Sequence, residues 1–352
     1  MIQPAGSPGT AVDSPELAAA LAGDAEAFRA LTGHYARELH VHCYRLLGSF
    51  HDAEDAVQEA LLRAWRHLAS FEGRSSFRAW LYRIATNVCL SQRHRLRKDV
   101  PVFPQAIADA VARSTEPAIT LTPYPDALLD ELEATSGDPA AEVELRESVQ
   151  LAFLAAVQLL PPRQRAVLIL RDVVGFPADT VAHMLESTTA SVNSALNRAR
   201  ATLERQRAAG RLHSGRLVPP DAVAESLVRR YGEAWQAMDI GKLVGLLKHD
   251  VALSMPPLPF RCTGREAVAE FFRSLPAAGR DRFRVVPTRA NRQPALAVYR
   301  LDAADHTYRA WGIWVLTLDG GAIAEITAFV DPALVPTFGL PTHFDHDLGR
   351  PG

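Results

Sequence analysis

One stretch, Phe71 to Lys98 (FEGRSSFRAWLYRIATNVCLSQRHRLRK), restricts what this chain can fold into more than any other. From Arg74 onward it carries Arg74, Arg78, Arg83, Arg93, Arg95, Arg97 and Lys98 without one Asp or Glu. Trp80, Leu81, Ile84 and Val88 recur between those cations at helical spacing, which predicts an amphipathic helix with an apolar and a cationic side. Arginine heads beside exposed rings suit a nucleic acid, because phosphates attract guanidinium groups and unpaired bases stack on rings. A solvated basic helix whose Phe77 and Trp80 belong to a core has the same spacing. The surrounding sequence has to separate the two.

The formal net charge of the 352 residues is -2, so a nucleic-acid surface here is local and is offset by acid elsewhere. A chain of this length predicts about two or three domains. Its 48% hydrophobic and 22% charged residues describe a globular protein. Cys43, Cys89 and Cys262 are scattered and form no CxxC pair, so neither a disulfide framework nor a zinc site is expected. No cofactor or metal motif is present. With no basic-then-apolar leader and no apolar run of membrane-span length, the expected compartment is the cytoplasm.

In chain order, residues 1–13 are a Pro, Gly, Ala and Ser-rich leader with the composition of disorder. Residues 14–98 are helical. Ser14 and Pro15 open the first helix, a second runs near Phe28 to Leu47, and the third is DAEDAVQEALLRAWRHL, Asp52 to Leu68. Ala53, Ala56, Val57, Ala60, Leu61, Ala64, Trp65 and Leu68 form its apolar stripe. Its acids come first and its cations last, an order that the helix dipole alone favours. Asp55, Gln58 and Glu59 also form a polar face suited to a basic groove on another protein. Residues 99–139 read as a Pro-rich acidic linker with little periodicity, containing TLTPYPDALLDELEATSGDP. Such a linker is either a solvated spacer or a nucleic-acid mimic for a basic channel.

Residues 140–207 return to helices. LPPRQRAVLILRDVVGF restarts a helix after Pro161 and Pro162, and PADTVAHMLES and TTASVNSALNRARATLERQR follow as two helices across a short turn. That is the pattern of a helix-turn-helix. Val192, Ala195, Leu196, Ala199 and Leu203 face inward, leaving Ser191, Asn193, Ser194, Asn197, Arg198 and Arg200 outside, where they suit base edges and phosphates. Residues 208–220 are a second linker. Residues 221–335 begin with a helix, Asp221 to Leu247, and continue with strand-like runs at Val251–Met255, Ala295–Leu301, Thr307–Leu318 and Ala322–Val330. A helix at Gly264–Leu275 interrupts them, and the DGG at Asp319–Gly321 predicts a hairpin. Helices before a curled antiparallel sheet define an α+β domain, and residues 336–352 are a tail.

Four phrases in this order carry a family resemblance: DAEDAVQEALLRAWR, FEGRSSFRAWLYRIATNVCLSQRHR, LPPRQRAVLILRDVVGF and SVNSALNRARATL. They resemble the two DNA-binding regions of extracytoplasmic-function sigma factors of the sigma-70 family. MPPLPFRCTGREAVAEFF and the closing strands ending in FVDP resemble the SnoaL-like, NTF2-like fold. The resemblance implies a multidomain protein. Two all-α sigma domains, region 2 and region 4, precede a cone-shaped α+β domain. It implies that Asp52, Asp55, Gln58 and Glu59 dock on the clamp helices of the largest subunit of core RNA polymerase. The polymerase flap in the second subunit is the other implied contact. Arg74, Arg78, Arg83, Asn87, Arg93, Arg95 and Arg97 then meet the minus-ten element. Ser191, Asn193, Ser194, Asn197, Arg198 and Arg200 meet the minus-thirty-five element of promoter DNA. The chain departs from the family at Pro177 and Thr180, where a Ser/Glu capping box is common, and at Leu121 and Thr122, where an aromatic often precedes PYPD.

For the last domain the resemblance offers both regulators and small-molecule enzymes. Candidate acid/base or pocket residues are His249, Asp250, His306, Tyr308, Arg309, Trp311 and Asp331. His249 and Asp250 fall at the expected helix end and His306 in a turn, so Tyr308, Arg309, Trp311 and Asp331 are the pocket candidates. Few acids converge on the strand faces, which favours a domain acting in cis on the sigma regions, with a small ligand or regulator as its effector. The alternative is an enzyme of hydrolase, isomerase or cyclase type, or a ligand sensor, fused to a DNA-binding module.

Overall fold

The computed structural model describes residues 15–73, 75–92, 119–136, 145, 147–208, 222–274 and 282–345. The leader, the second linker and the end of the tail lie outside them. The chain forms two compact units. Residues 1–94 and 156–211 make the first, and residues 95–155 and 212–352 the second. In order, the helices are α1 (Pro15–Leu21), α2 (Ala25–Leu47), α3 (Phe50–Arg66), α4 (Phe77–Ser91), α5 (Asp126–Ser136) and α6 (Leu151–Gln158). Then come α7 (Pro162–Leu168), α8 (Ala178–Met184), α9 (Thr189–Ala208), α10 (Ala222–Gln236) and α11 (Ile240–Gly245). The strands are β1 (Leu247–Ser254) and β2 (Arg261–Thr263), followed by α12 (Arg265–Ser274). They continue with β3 (Phe283–Ala290), β4 (Gln293–Asp302), β5 (Thr307–Asp319), β6 (Ala322–Phe329) and β7 (His343–Asp345).

Caps define the first three long helices. Asp24 accepts from the Glu26 and Ala27 N–H groups and opens α2, while Ser49 and Ser76 do the same for α3 and α4. Gly48, at φ 75°, takes the left-handed position that ends α2 and turns the chain into α3. The expected apolar stripe of α3 is realised as a seam of small residues. Ala53, Ala56, Ala60 and Ala64 are all buried, which lets α3 approach α2 and α4 closely. On α4 the buried side is Phe77, Leu81, Tyr82, Ala85, Val88 and Cys89, with Trp80 half-buried against Phe71 and Phe77. A π-turn, Ile169–Val173, continues α7, and Gly175 at φ 80° closes it.

A guanidinium ties the ends of two helices within this unit. Arg165 donates to the Leu46 carbonyl at 2.6 Å, the Gln158 carbonyl at 2.9 Å and the Leu160 carbonyl at 3.2 Å. These are orphan carbonyls at the carboxyl ends of α2 and α6, where a cation also meets the negative end of each helix dipole. Burial lowers the Arg165 pKa to about 10, so it remains charged at neutral pH.

The second unit is an α+β cone. Its sheet runs β2-β1-β6-β5-β4-β3, with β7 added to β5. The expected antiparallel sheet is instead mixed, because β1 lies parallel to β6. Strand β3 had no sequence expectation. Pro287 interrupts its pattern, and Pro is tolerated here because β3 is the last strand in the order. The single helix expected over Asp221–Leu247 is broken at Met238, φ 49°, and Asp239 caps α11 by accepting from Lys242 N–H. β1 starts at Leu247, so His249 and Asp250 sit on an exposed stretch of strand rather than at a helix end. Trp235 organises the core, with ring centroids 5.5 Å from Phe272 and Phe283 and 6.2 Å from Trp314. The segment that reads as an aperiodic linker contains α5, and Pro125 just before it forms an antiparallel bridge with Ala290 at the end of β3.

A bulge decides which way β5 points. Tyr299 pairs with Ala310 and Val298 with Gly312, which leaves Trp311 as the extra residue. Trp311 therefore packs onto the core and stacks on Phe283 at 5.3 Å. A Cβ on Gly312 would lie 2.0 Å from the Phe329 carbonyl oxygen. The expected result of Gly312→Ala is a separation of β5 from β6, read as a fall of several degrees in the Tm of the second unit by calorimetry; an unchanged Tm contradicts the close approach.

Two buried histidines make the first unit acid-sensitive. Burial lowers the His42 pKa to about 3 and the His40 pKa to about 4, with Arg45 and Arg37 respectively adding to the shift. His42 Nε2 lies 2.9 Å from Thr86 Oγ1. The unfolded chain binds protons at these sites below pH 6.5 and the folded chain does not. Stability is therefore full above the unfolded pKa and falls as pH drops from 6.5 towards 4, by up to about 1.4 kcal/mol per pH unit for each histidine. Denaturant melts between pH 7 and 5 should show that slope, and His42→Gln should flatten it. Equal slopes for both proteins would sink the assignment.

Candidate nucleic-acid interface

Three surfaces of the first unit carry the residues singled out by sequence. On α3, Asp55 and Gln58 are exposed, Asp52 is half-buried in the first turn, and half-buried Glu59 bonds Arg63 at 2.6 Å. The alanine seam turns these polar groups outward. Leu62 shares that outer face, four residues beyond Gln58, and is 52% exposed. By sequence Leu62 reads as part of the apolar run beside Leu61; its signal is that it lies off the seam, between the polar Gln58, Glu59 and Arg66.

On α4 the cations are held by other parts of the chain. Arg78 Nε donates to Glu38 Oε1 at 2.7 Å, the Tyr82 hydroxyl donates to the same oxygen at 2.7 Å, and the guanidinium lies 4.9 Å from the Tyr82 ring and 5.2 Å from the Phe176 ring. Burial works against the Arg78 charge, yet the Glu38 carboxylate and Tyr82 raise its pKa overall. Arg83 pairs with Glu186 at 3.2 Å, and Asn87 is half-buried. Arg74, Arg93, Arg95 and Arg97 lie outside the described residues.

On α9, Val192, Ala195, Leu196 and Ala199 are buried, and Ser191, Asn193, Ser194, Asn197 and Arg198 stand exposed on the other faces. Thr188 Oγ1 accepts from the Ser191 N–H at 3.2 Å and caps the helix. Arg200 forms a two-point bond with Asp172, at 2.8 and 2.7 Å, which raises its pKa. α8 starts at Pro177 with no side-chain cap, in line with the missing capping box. The α8–α9 pair thus presents a row of amide, hydroxyl and guanidinium groups suited to a duplex groove.

The four pocket candidates of the second unit are dispersed. Trp311 joins the core, Arg309 turns outward onto Asp302 and Asp305, Tyr308 is half-buried opposite Leu301, and Asp331 caps the turn after β6 by accepting from Ala333 N–H. His306 is exposed in the β4–β5 turn at φ 55°. Among the described residues, no group of His, Cys, Asp and Glu is arranged to hold a metal ion, and no helix is long and apolar enough to cross a membrane.

The geometry defines a class: a DNA-reading protein built from two helical segments, one a helix-turn-helix, with a cone-shaped α+β domain after them. Comparison with known proteins gives the class its family. The chain matches Sigma-70 region 2 over residues 31–99, Sigma-70 region 4 over residues 150–203 and the SnoaL-like domain over residues 228–326. The ECF RNA polymerase sigma factor SigG of Mycobacterium tuberculosis is 40% identical over 320 residues, which span 89% of this chain and 84% of that protein. SigW of Bacillus subtilis, another ECF sigma factor, is 32% identical over 184 residues, 52% of this chain and 90% of that protein. The crystal structure of the Mycobacterium tuberculosis ECF sigma factor SigJ shares the fold with a TM-score of 0.52 at 22% identity, over 91% of this chain and 100% of that one. This chain belongs to the ECF RNA polymerase sigma factors, and is a promoter-directing transcription initiation factor with a SnoaL-like domain at its carboxyl end.

Proposed function

We propose that three separate surfaces share the work of initiation in the cytoplasm. The outer face of α3, with Asp52, Asp55, Gln58, Glu59 and now Leu62, docks on the clamp helices of the largest subunit of core polymerase. α4 and the basic residues around it open and read the minus-ten element. The exposed row of α9 reads the minus-thirty-five element, with region 4 seated on the flap of the second subunit. The observation that carries this reading is the exposed Ser, Asn and Arg row of α9 opposite its buried apolar stripe. Arg83 and Asn87 are half-buried on α4 and Arg83 has only the exposed Glu186 to release, whereas Arg78 has to exchange Glu38 for a phosphate before it meets DNA.

The SnoaL-like domain, on this reading, regulates in cis and performs no chemistry. Asp126 and Arg292 are the buried charged side chains among the described residues of the second unit, and neither lies in the aromatic core around Trp235. One observation favours a ligand-holding interior instead: the buried Tyr231 hydroxyl and Trp235 indole nitrogen lack a hydrogen bond of good geometry. Hydrolysis or isomerisation of small esters and ketones by the purified chain, abolished by Asp331→Asn, would replace regulation with catalysis.

In-vitro transcription with core polymerase tests the main reading, and a promoter-specific transcript is the expected product. Leu62→Asp should weaken core binding by about tenfold or more without lowering the Tm, since an exposed apolar group at the centre of a docking face acts as an anchor. Asn197→Ala should reduce discrimination against changed minus-thirty-five bases, by about 1–3 kcal/mol for a lost two-point base contact. Core affinity and base preference unaltered by these variants would remove α3 and α9 from their assigned roles.

A further inference from the structure

The two arginines of the α9 row differ. Arg198 stands exposed, whereas Arg200 Nε and Nη2 donate to the two carboxylate oxygens of Asp172 at 2.8 and 2.7 Å, a parallel two-point bond. Asp172 lies in the π-turn that continues α7, so the bond ties α9 to the helix packed beside it. The turn is closed by bonds of its own. Val174 N–H donates to the Ile169 carbonyl and Phe176 N–H to the Leu170 carbonyl, both at 2.9 Å, and the Arg171 guanidinium donates to the Phe176 carbonyl at 2.5 Å. Asp172 thus stands on a fixed mount, and its side chain is the less exposed of the pair, at 29% against 57% for Arg200.

Position on the helix also separates Arg200 from the other groups of the row. At about 100° per residue, Ser194 and Asn197 flank the centre of the outward face, and Arg200 falls about 90° from that centre, next to buried Leu196. It lies about 16 Å along the helix from Thr189, whereas base edges are met by the first turns of a recognition helix. A carboxylate fixed beside its guanidinium repels a phosphate that approaches the same group.

We propose that Arg200 is a positioning residue, and that its bond to Asp172 is a strut that sets the angle of α9 against α7 and so the way Ser194 and Asn197 enter the duplex groove. The bond persists when promoter DNA binds. With α9 as the minus-thirty-five reader, on which this rests, Asp172 takes part in base selection without touching DNA. Two-point bonding between an amide and a base needs donor and acceptor in one plane, so a small rotation of α9 is enough to lose discrimination.

Promoter binding by the holoenzyme, measured with intact and altered minus-thirty-five elements over a salt series, tests the strut. Asp172→Ala and Arg200→Ala should each lower the preference for the intact element by about threefold to tenfold, with the slope of log affinity against log salt unchanged. Exchanging the charges, Asp172→Arg together with Arg200→Asp, should bring the preference back to within about twofold of wild type. Tighter promoter binding by Asp172→Ala, or a salt slope smaller by about one in Arg200→Ala, makes Arg200 a phosphate contact and overturns the strut. An exchanged pair no better than the single variants overturns it too. Hydrogen exchange on the free full-length chain supplies a second readout. Exchange over residues 195–202 should rise several-fold in Asp172→Ala, with α2 and α3 protected as in the wild type. Unchanged exchange, or a loss of protection that spreads to α2 and α3, removes the strut. A wild-type holoenzyme with no preference among minus-thirty-five bases fails the α9 reading instead, and the exchange result then decides whether the pair holds the helix.

Discussion

A helix that ends inside a protein leaves carbonyl groups that water cannot reach, and the first unit answers this with Arg165. Its guanidinium accepts no hydrogen bonds and offers donors in a fixed fork, so it serves carbonyls from α2 and α6 together. Without it the buried carboxyl ends would each carry an uncompensated penalty of about 1–3 kcal/mol. The second unit meets the same constraint in a different way. Its buried carboxylate and its buried asparagine lie where the linker crosses the sheet, and each polar group finds a partner on the other segment. In both units, the polar atoms taken out of water mark the junctions between stretches far apart in sequence.

That separation explains which features were legible beforehand. The alanine seam of α3 and the outward row of α9 are local patterns with a helical period, and the folded chain keeps them, while of the cations expected around α4 only Arg78 and Arg83 fall among the described residues. The DGG turn joins β5 to β6 as its φ values require. Strand β3 escaped because Pro287 stands in it, and α5 escaped because the surrounding prolines read as breakers while Pro125 in fact precedes the first helical residue. Arg309 and Trp311 are both pocket candidates by sequence, and the bulge beside them sends Trp311 onto the core while Arg309 turns outward. The bond from Arg78 to Glu38 joins α4 to α2, and no local period reports it.

Charge placement has a second aspect in the first unit. Arg78, Arg83 and Arg200 all belong to surfaces assigned to DNA, and each meets an acid of the chain itself: Glu38, Glu186 and Asp172. On the proposed reading, DNA phosphates would have to displace the carboxylates of Glu38 and Glu186. An exposed pair such as Arg83 with Glu186 is worth little in water, so it yields readily to a polyanion. The partly buried Arg78 cluster is tighter and keeps its guanidinium oriented. The near-neutral total charge is therefore matched by local neutralisation at the cationic groups.

Asn291 has an implication for how the length of this chain can drift. Tyr124 and Val149 are both bonded to it, so these two points of the chain are held together whatever the number of residues between α5 and Val149. An insertion between Asp126 and Asp130 differs, since one extra residue turns the second carboxylate by about 100° around α5 and away from Arg292. Related chains should thus vary in length on the far side of α5 and keep the spacing of its two aspartates.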